Sequence, residues 1–497
     1  MFNTIIKPII ILLLLNTGLN AACNESRGNQ SISKIEITQI KDSVNFFSKI
    51  GKFYLIKKKS NQDALKKINT KKKHKAIIKV IYENGAHCSH NSIIRFHGDF
   101  LDHVSMINGN PISSLRVKLN ESHINNITRF ILFRPMSRYF NSEIFSTVIY
   151  RNLGFLTPRT FNVKVKINGV ETNYIFQENL KKEFLEFNKR IEGPILESNE
   201  DYNNFNIFQL SRISNSEWIK EDYINKLTSL LATKYYNQIL LKSKKFFTYD
   251  ELIRFDPNDF EEPTYRKISE FDALTFATDN DHLLTFYNRR FYFDPIKKII
   301  EPIYYDGSSK ILSKINYDIY TGKYQKKLFN YQKMTKLNFN RIDGNVLDQP
   351  YYAPKHYNES LVTNSAKYGA KFLLEKIKRL NKEEILSELH KNGFKNINIK
   401  QLNLVIEEIL YRLNLIKENK IDNEIDFINN KNSPYKNINS TKEISLIFLK
   451  DKQVLQCLYE AECQYSENNL SKIELEYCDQ YLKQCYLEYS SDKDFIK

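Results

Sequence analysis

Asn168-Gly169 is the residue pair that most limits what this chain can fold into. It separates two alternating segments, Phe161–Ile167 and Val170–Gln177. A two-residue hairpin loop holds both central residues at positive φ, which Asn and Gly tolerate best, so the flanking segments read as an antiparallel pair. Four runs upstream, Lys75–Tyr82, Ser92–His97, Leu115–Leu119 and Phe130–Phe133, are short, apolar and bounded by turn residues, and they read as strands. Tyr139–Leu153 sets Phe140, Ile144 and Val148 on one helical row and Phe145 and Ile149 on the next, with Gly154 ending the helix. Asn179–Arg190 continues as a second helix. This region is β-rich around one large helix.

From about Asn215 the texture becomes helical. Ile224, Leu227, Leu231, Tyr235 and Ile239 mark one long amphipathic helix, and Ala366–Leu380, Lys382–Lys391 and Ile399–Lys417 read as helices too. Within this half, Phe271–Ser308 is different. Two apolar, aromatic runs, Arg289–Phe293 and Lys298–Tyr305, flank a turn and read as strand, turn and strand. Asp281 and Asn288 stand before or at the start of the pair and Asp306 directly after it. A carboxylate, a later amide and a second carboxylate across a hairpin is the set that phosphoryl transfer uses. One Asp orients a hydroxyl, while the Asn and the other Asp hold a metal on nucleotide phosphates. Plainer readings stand beside this one. Asp279 and Asp281 suit helix N-caps, and Asn288 and Asp306-Gly307 suit turns.

The 497 residues suffice for two or three domains. Lys and Arg number 74 against 58 acidic residues, a net charge of +16, with concentrations at Lys49–Lys59 and Lys66–Lys75. Lysine blocks of this kind are usually solvated segments, and the aromatic residues of 286–305 suit strands better than base stacking. No specific nucleic-acid partner is expected. An acidic partner or a phosphorylated ligand is compatible with the excess charge.

Met1–Ala22 reads as a secretory signal, with Lys7, an apolar core at Ile9–Leu15 and small residues at Ala21-Ala22. Cys23 follows as in a lipoprotein, but Asn20 stands where lipoprotein signals carry a branched apolar residue. A lipid anchor at Cys23 is thus the lesser alternative, beside an uncleaved anchor. No later segment is apolar enough to cross a bilayer, so the mature chain is expected without a transmembrane helix, secreted, periplasmic or otherwise extracytoplasmic, in an oxidising compartment. Cys457, Cys463, Cys478 and Cys485 agree with that, in steps of six, fifteen and seven residues. Two antiparallel helices would set Cys457 against Cys485 and Cys463 against Cys478, with rungs roughly 9 and 10.5 Å apart on the two helices. A step of six turns Cys463 off the face of Cys457. A tetrathiolate metal site is the rival, with gaps too wide for paired knuckles. Cys23 and Cys88 remain, as a further pair or with Cys88 as a buried thiol. His87-Cys88-Ser89-His90 is either a metal-ligand cluster or a surface run.

Arg95-x-His97-Gly98, then SSLRVKL at Ser113–Leu119, then a helix ending in RNLG at Arg151–Gly154, then Val163–Glu186 with its Asn-Gly hairpin and Glu178, follow one another in a set order. That order resembles the first half of the CotH-type spore-coat kinase family. Asp281, Asn288, the hairpin and Tyr305-Asp306 resemble its second half, so the likeness spans roughly residues 75–310. The resemblance implies an α+β, atypical protein-kinase-like two-lobed fold. It implies a secreted kinase that transfers the γ-phosphate of ATP, with Mg2+ or Mn2+, to Ser or Thr of a Ser-rich or acidic protein substrate. It also implies residue roles: Asp281, or Asp279 in its place, as the catalytic aspartate; Asn288 and Asp306 as metal ligands; and Lys118, Glu178 and Arg95 as nucleotide-binding residues, with Glu178 positioning Lys118. The chain departs from the family pattern at His97, at Tyr305 where the family has Trp, and at Ser308 where it has a second Asp. Those departures motivate the alternative of a catalytically inactive, secreted binding or assembly protein of a coat or cell surface.

The expected division is a signal at 1–22, a basic and partly disordered segment at 23–74, a β-rich lobe at 75–195, a helical lobe with the catalytic hairpin at 196–417, a linker at 418–442 and a disulfide-stapled helical hairpin at 443–497. The expected assembly is a monomer.

Overall fold

A computed structural model describes residues 31–58, 72–98, 101–197, 212–219, 222–242, 264–284, 288–307, 309, 311–314 and 364–418, with short segments at 443–444, 455–458, 463–465, 478–479 and 484–485. The expected signal, Cys23, Ser308 and the linker beyond Glu418 lie outside the described residues. The chain divides into two compact units, the first made of residues 1–147, 158–184 and 387–397, the second of the remainder.

The first unit is built on β1 (Ile32–Thr38), α1 (Ser43–Lys58), β2 (His74–Tyr82), β3 (His87–Phe96), the hairpin β4 (Val104–Ile107) and β5 (Asn110–Ser113), β6 (Leu115–Leu119), β7 (Arg129–Phe133), α2 (Asn141–Asn152), β8 (Thr160–Ile167) and β9 (Val170–Glu178). Seven strands close a barrel in the order β1-β2-β3-β6-β7-β9-β8. Asn168 and Gly169 take φ of +50° and +74°, as the β8–β9 loop requires. One residue in two points inward. Ile35, Ile78, Val80, Ile94, Leu115, Val117, Phe130, Leu132, Val165 and Phe176 line the interior as one apolar cluster. Phe46, Ile50 and Phe53, spaced along one face of α1, join the same cluster. Each such side chain, fully buried, is worth about 1.5–3 kcal/mol.

The closed barrel corrects the expected two-lobed, kinase-like fold. Ile32–Thr38 was expected inside a basic, partly disordered segment. Instead Ile35 pairs antiparallel with Val80 of β2 and parallel with Val165 of β8. A strand bonded on both edges turns an open sheet into a closed one and removes its edges. β1 contributes alternate apolar residues to the interior, and that burial is what recruits it. Cys88 is buried in β3 and disulfide-bonded.

The second unit contains the end of α2, α3 (Lys182–Phe187, which begins in the first unit), β10 (Ile195–Glu197), β11 (Arg212–Ile213), α4 (Tyr223–Lys242), α5 (Thr264–Ala277), β12 (Arg290–Asp294), β13 (Ile299–Ile303), α6 (Asn364–Lys378), the first half of α7 (Lys382–Lys391) and α8 (Ile399–Glu418). β12 and β13 form the expected hairpin, and β10 and β11 extend it into a four-stranded sheet in the order β11-β10-β12-β13. α5 is buried along its length except at Arg266 and Lys267. α6 crosses it closely: a Cβ added to Gly369 would lie 1.9 Å from the Ser269 carbonyl oxygen.

The expected C-terminal helical hairpin is also corrected. The described residues there are strands, Leu455–Leu458, Cys463–Tyr465, Cys478–Asp479 and Gln484–Cys485. Their register sets Cys457 opposite Cys463 and Cys478 opposite Cys485. The expected rungs, Cys457–Cys485 and Cys463–Cys478, are therefore not the register neighbours, although the segment of Cys457 also contacts that of Cys485. Tyr, Leu, Ile, Phe, Val and Cys are spread here without a sustained helical row, so pairing wins over periodicity. Among the described residues no helix is long and apolar enough to cross a membrane.

Candidate active-site loops

Three loops of the second unit meet at His282. The first is the end of α5, where Thr278, Asp279 and Asn280 turn the chain into a short 3-10 turn, Asp281–Leu284. Arg412 of α8 donates to the Ala277 carbonyl at 3.1 Å and so satisfies the last turn of α5. Asp279 is buried and takes φ of +56°. Asp tolerates that left-handed conformation better than most side chains do.

The second loop carries Asn288. Its amide nitrogen lies 2.7 Å from His282 Nε2. Arg289, next in sequence, is buried and ion-paired with Asp272 on α5. Ser365 Oγ adds a hydrogen bond to Asp272 at 3.2 Å. Burial pushes the Asp272 carboxyl up, and the Arg289 charge opposes that rise. The pair anchors the segment in which Asn288 sits.

The third loop follows β13. Asp306 presents its carbonyl oxygen 2.9 Å from His282 Nδ1, with Oδ1 of the same residue 3.6 Å away. A consistent protonation has Nδ1–H donating to Asp306 and Nε2 accepting from the Asn288 amide. Asp306 also takes a left-handed φ, +59°. Gly307 has no Cβ because none fits: it would lie 2.6 Å from Asn280 Oδ1 and 2.8 Å from the Tyr304 hydroxyl. Ser309 Oγ donates to the Thr278 carbonyl at 3.0 Å, closing the same loop onto the end of α5. Beneath, Asn280 Nδ2 donates to Thr278 Oγ1 at 2.7 Å and to the Tyr150 hydroxyl at 3.4 Å. Burial pushes the Tyr150 hydroxyl up to about 12, so it stays protonated at neutral pH.

Of the residues expected from sequence, Asn288 and Asp306 are thus brought together on one imidazole. Asp281 opens the 3-10 turn, one residue before that imidazole. His282, Arg289 and Asp272 were not singled out by sequence reading. The signal for His282 was present only as a histidine following two aspartates in a loop. A lone His in that setting has no periodicity to mark it.

Arg95, Lys118 and Glu178 belong to the first unit. Arg95 on β3 stands opposite Arg116 on β6, and Lys118 on β6 stands opposite Arg129 on β7. Lys118 is exposed and Arg95 half-exposed, on the outer face of strands whose inner face is apolar. Glu178 is instead buried at the end of β9, and its carboxylate is taken by Arg159: Nε lies 2.9 Å from Oε2 and Nη2 lies 2.5 Å from Oε1. Burial pushes the Glu178 carboxyl up, and the hydrogen bonds and charge of Arg159 oppose it. The structure therefore assigns Glu178 to Arg159.

Among the described residues no three His, Cys, Asp or Glu side chains gather as a metal site, and His87-Cys88-Ser89-His90 lies along β3. No protein-family model matches the chain, and no curated protein matches its sequence.

Proposed function

We propose that the chain is a secreted, metal-dependent kinase that transfers the γ-phosphate of ATP to Ser or Thr of a protein, as its resemblance to the CotH-type family implies. The observation that carries the reading is the meeting of Asn288 and Asp306 on His282, directly after Asp279-Asn280-Asp281. Two oxygen-bearing side chains, an amide and a carboxylate, are hard donors of the kind Mg2+ or Mn2+ takes beside phosphates and water. When bound, the metal would neutralise charge on the phosphoryl oxygens. The chain's own part is to hold those donors still through His282, Arg289 and Gly307, and to offer Asp281 or Asp279 as acceptor of the substrate hydroxyl proton. The resemblance gives Lys118 and Arg95, both in the first unit, the part of nucleotide-binding residues. Glu178, already bonded to Arg159, serves the frame of the first unit.

A second reading is a secreted binding or assembly protein without catalysis. The departures from the family pattern at Tyr305 and Ser308 favour it.

Incubation of purified protein with labelled ATP, Mg2+ or Mn2+ and a Ser-rich protein separates the two. The kinase reading expects label on the protein substrate from wild type and none from the Asp281→Ala, Asp306→Ala double variant. Equal labelling by the two proteins ends the kinase reading. Absence of any thermal stabilisation by ATP with metal favours the second.

A further inference from the structure

A buried cation where β7 ends has no role in the loops around His282. Arg134 follows Phe133 and is only 9% exposed. Its Nε and Nη1 have no hydrogen-bond acceptor among the described residues. A guanidinium keeps its charge at any pH a protein meets, so it cannot escape burial by losing a proton. Buried donors left unmet are uncommon and call for a partner.

The surroundings hold the side chain in one place. Arg134 N donates to Ser114 Oγ at 2.8 Å, and its carbonyl accepts from Ser137 Oγ at 2.8 Å. Its Cζ lies 5.1 Å from the centroid of the Tyr174 ring. The Tyr174 hydroxyl donates to the Ser113 carbonyl at 3.1 Å. Burial raises that hydroxyl to about 12, and the Arg134 charge and side-chain hydrogen bond oppose the rise. One tyrosine thus joins Arg134 to Ser113. Ser113 is itself buried, and its Oγ has no partner among the described residues. His103 Nδ1 lies 3.0 Å from Ser114 Oγ, adding a second buried polar ring at the same corner.

We infer that Arg134 and Ser113 form a binding site for a tetrahedral oxyanion of the phosphate class. A carboxylate is planar and takes two parallel N–H bonds from one edge of a guanidinium. Nε and Nη1 do not lie on one such edge, and the serine hydroxyl adds a third direction. An anion with oxygens on several sides meets all three donors. Water meets donors but not charge, and a buried cation needs a counter-charge. The inference stands apart from the kinase reading, because it uses none of that site's residues.

The test uses the full mature chain in phosphate-free buffer, titrated with sodium phosphate against sodium chloride and sodium acetate at equal ionic strength, with thermal melting and phosphorus NMR linewidth as readouts. Wild type should melt higher and broaden the phosphate line with phosphate only. Ser113→Ala should weaken the effect several-fold. Arg134→Gln should weaken it roughly tenfold to a hundredfold, as loss of charge-assisted hydrogen bonds predicts. Arg134→Lys keeps the charge and loses the divergent donors, and it should fall between them should the Gln variant fail to fold. A parallel titration with phosphoserine identifies the source: an equal shift points to an esterified phosphate, and a response to inorganic phosphate alone points to the free ion. A wild-type response no greater with phosphate than with chloride overturns the site, as does an undiminished response in Ser113→Ala together with either Arg134 variant.

Discussion

Arg159 and Glu178 hold each other through both side chain and backbone. The guanidinium takes both carboxylate oxygens, Arg159 N adds a bond to Oε2 at 3.2 Å, and Glu178 N donates to the Arg159 carbonyl at 3.0 Å. The pair ties the start of β8 to the end of β9, the two arms of the Asn168-Gly169 hairpin.

Arg159→Gln should therefore cost about 3 kcal/mol, because it strands a buried carboxylate. Burial already pushes the Glu178 carboxyl above its ordinary value. A raised folded-state pKa gives stability that is present below the unfolded value and lost as pH rises through the folded one. Without Arg159 that rise is larger, so the gap between variant and wild type should widen from acid towards neutral pH. Urea unfolding across that range checks it, and a pH-independent gap would contradict the pairing.

Glu301 behaves in the opposite sense. Burial raises its carboxyl, but the Arg190 hydrogen bonds and charge, with Lys267, outweigh burial and leave it below the ordinary value. Arg190 Nε and Nη2 lie 2.6 and 2.8 Å from its two oxygens. A lowered folded-state pKa gives stability present above the unfolded value and lost as pH falls through the folded one. Arg190→Gln should cost about 1–2 kcal/mol at neutral pH, discounted for the partly exposed guanidinium. The difference should vanish in acid, and calorimetry at several pH values would show whether it does.

Gly369→Ala should separate α5 from α6. The new Cβ meets the backbone of Ser269, with the carbonyl oxygen at 1.9 Å and the carbonyl carbon at 2.0 Å, and neither can rotate away. The expected loss is about 3 kcal/mol, read as a lower melting temperature. A variant as stable as wild type would mean the helices do not cross this closely.

His282→Ala tests the site without removing an expected ligand. The ring orients Asn288 and Asp306 and is partly exposed, so the fold should survive its loss. If the kinase reading holds, transfer should drop about ten- to a hundredfold and the metal requirement should rise, the usual effect of losing a group that orients ligands. Unchanged rate and metal dependence would remove His282 from the mechanism.

Much of the local structure was legible in the residues. Leu115–Leu119 and Lys382–Lys391 form the expected strand and helix with the expected bounds, and the β12–β13 hairpin follows its expected runs except that Asp294, expected in the turn, ends β12. Strand alternation, helical rows and turn residues are short-range signals, and here they agree with the packing. Ile32–Thr38 was missed because its alternation sits inside a polar, lysine-rich context. The C-terminal cysteines misled because a palindromic spacing suits helices and strands alike.

The sequence by itself determined the strands β6 to β9, the helices α6 to α8, where the Asn-Gly hairpin turns, and that Asn288 and Asp306 flank one hairpin. Only the tertiary structure decided that β1 closes a barrel in place of a two-lobed fold, that Arg159 takes Glu178, that His282 joins Asn288 to Asp306, and that Arg134 is buried with donors to spare. The reason is physical. Backbone preference acts over a few neighbouring residues, whereas strand partners and buried polar contacts join residues far apart in the chain, and the burial that selects them exists only once the chain has folded.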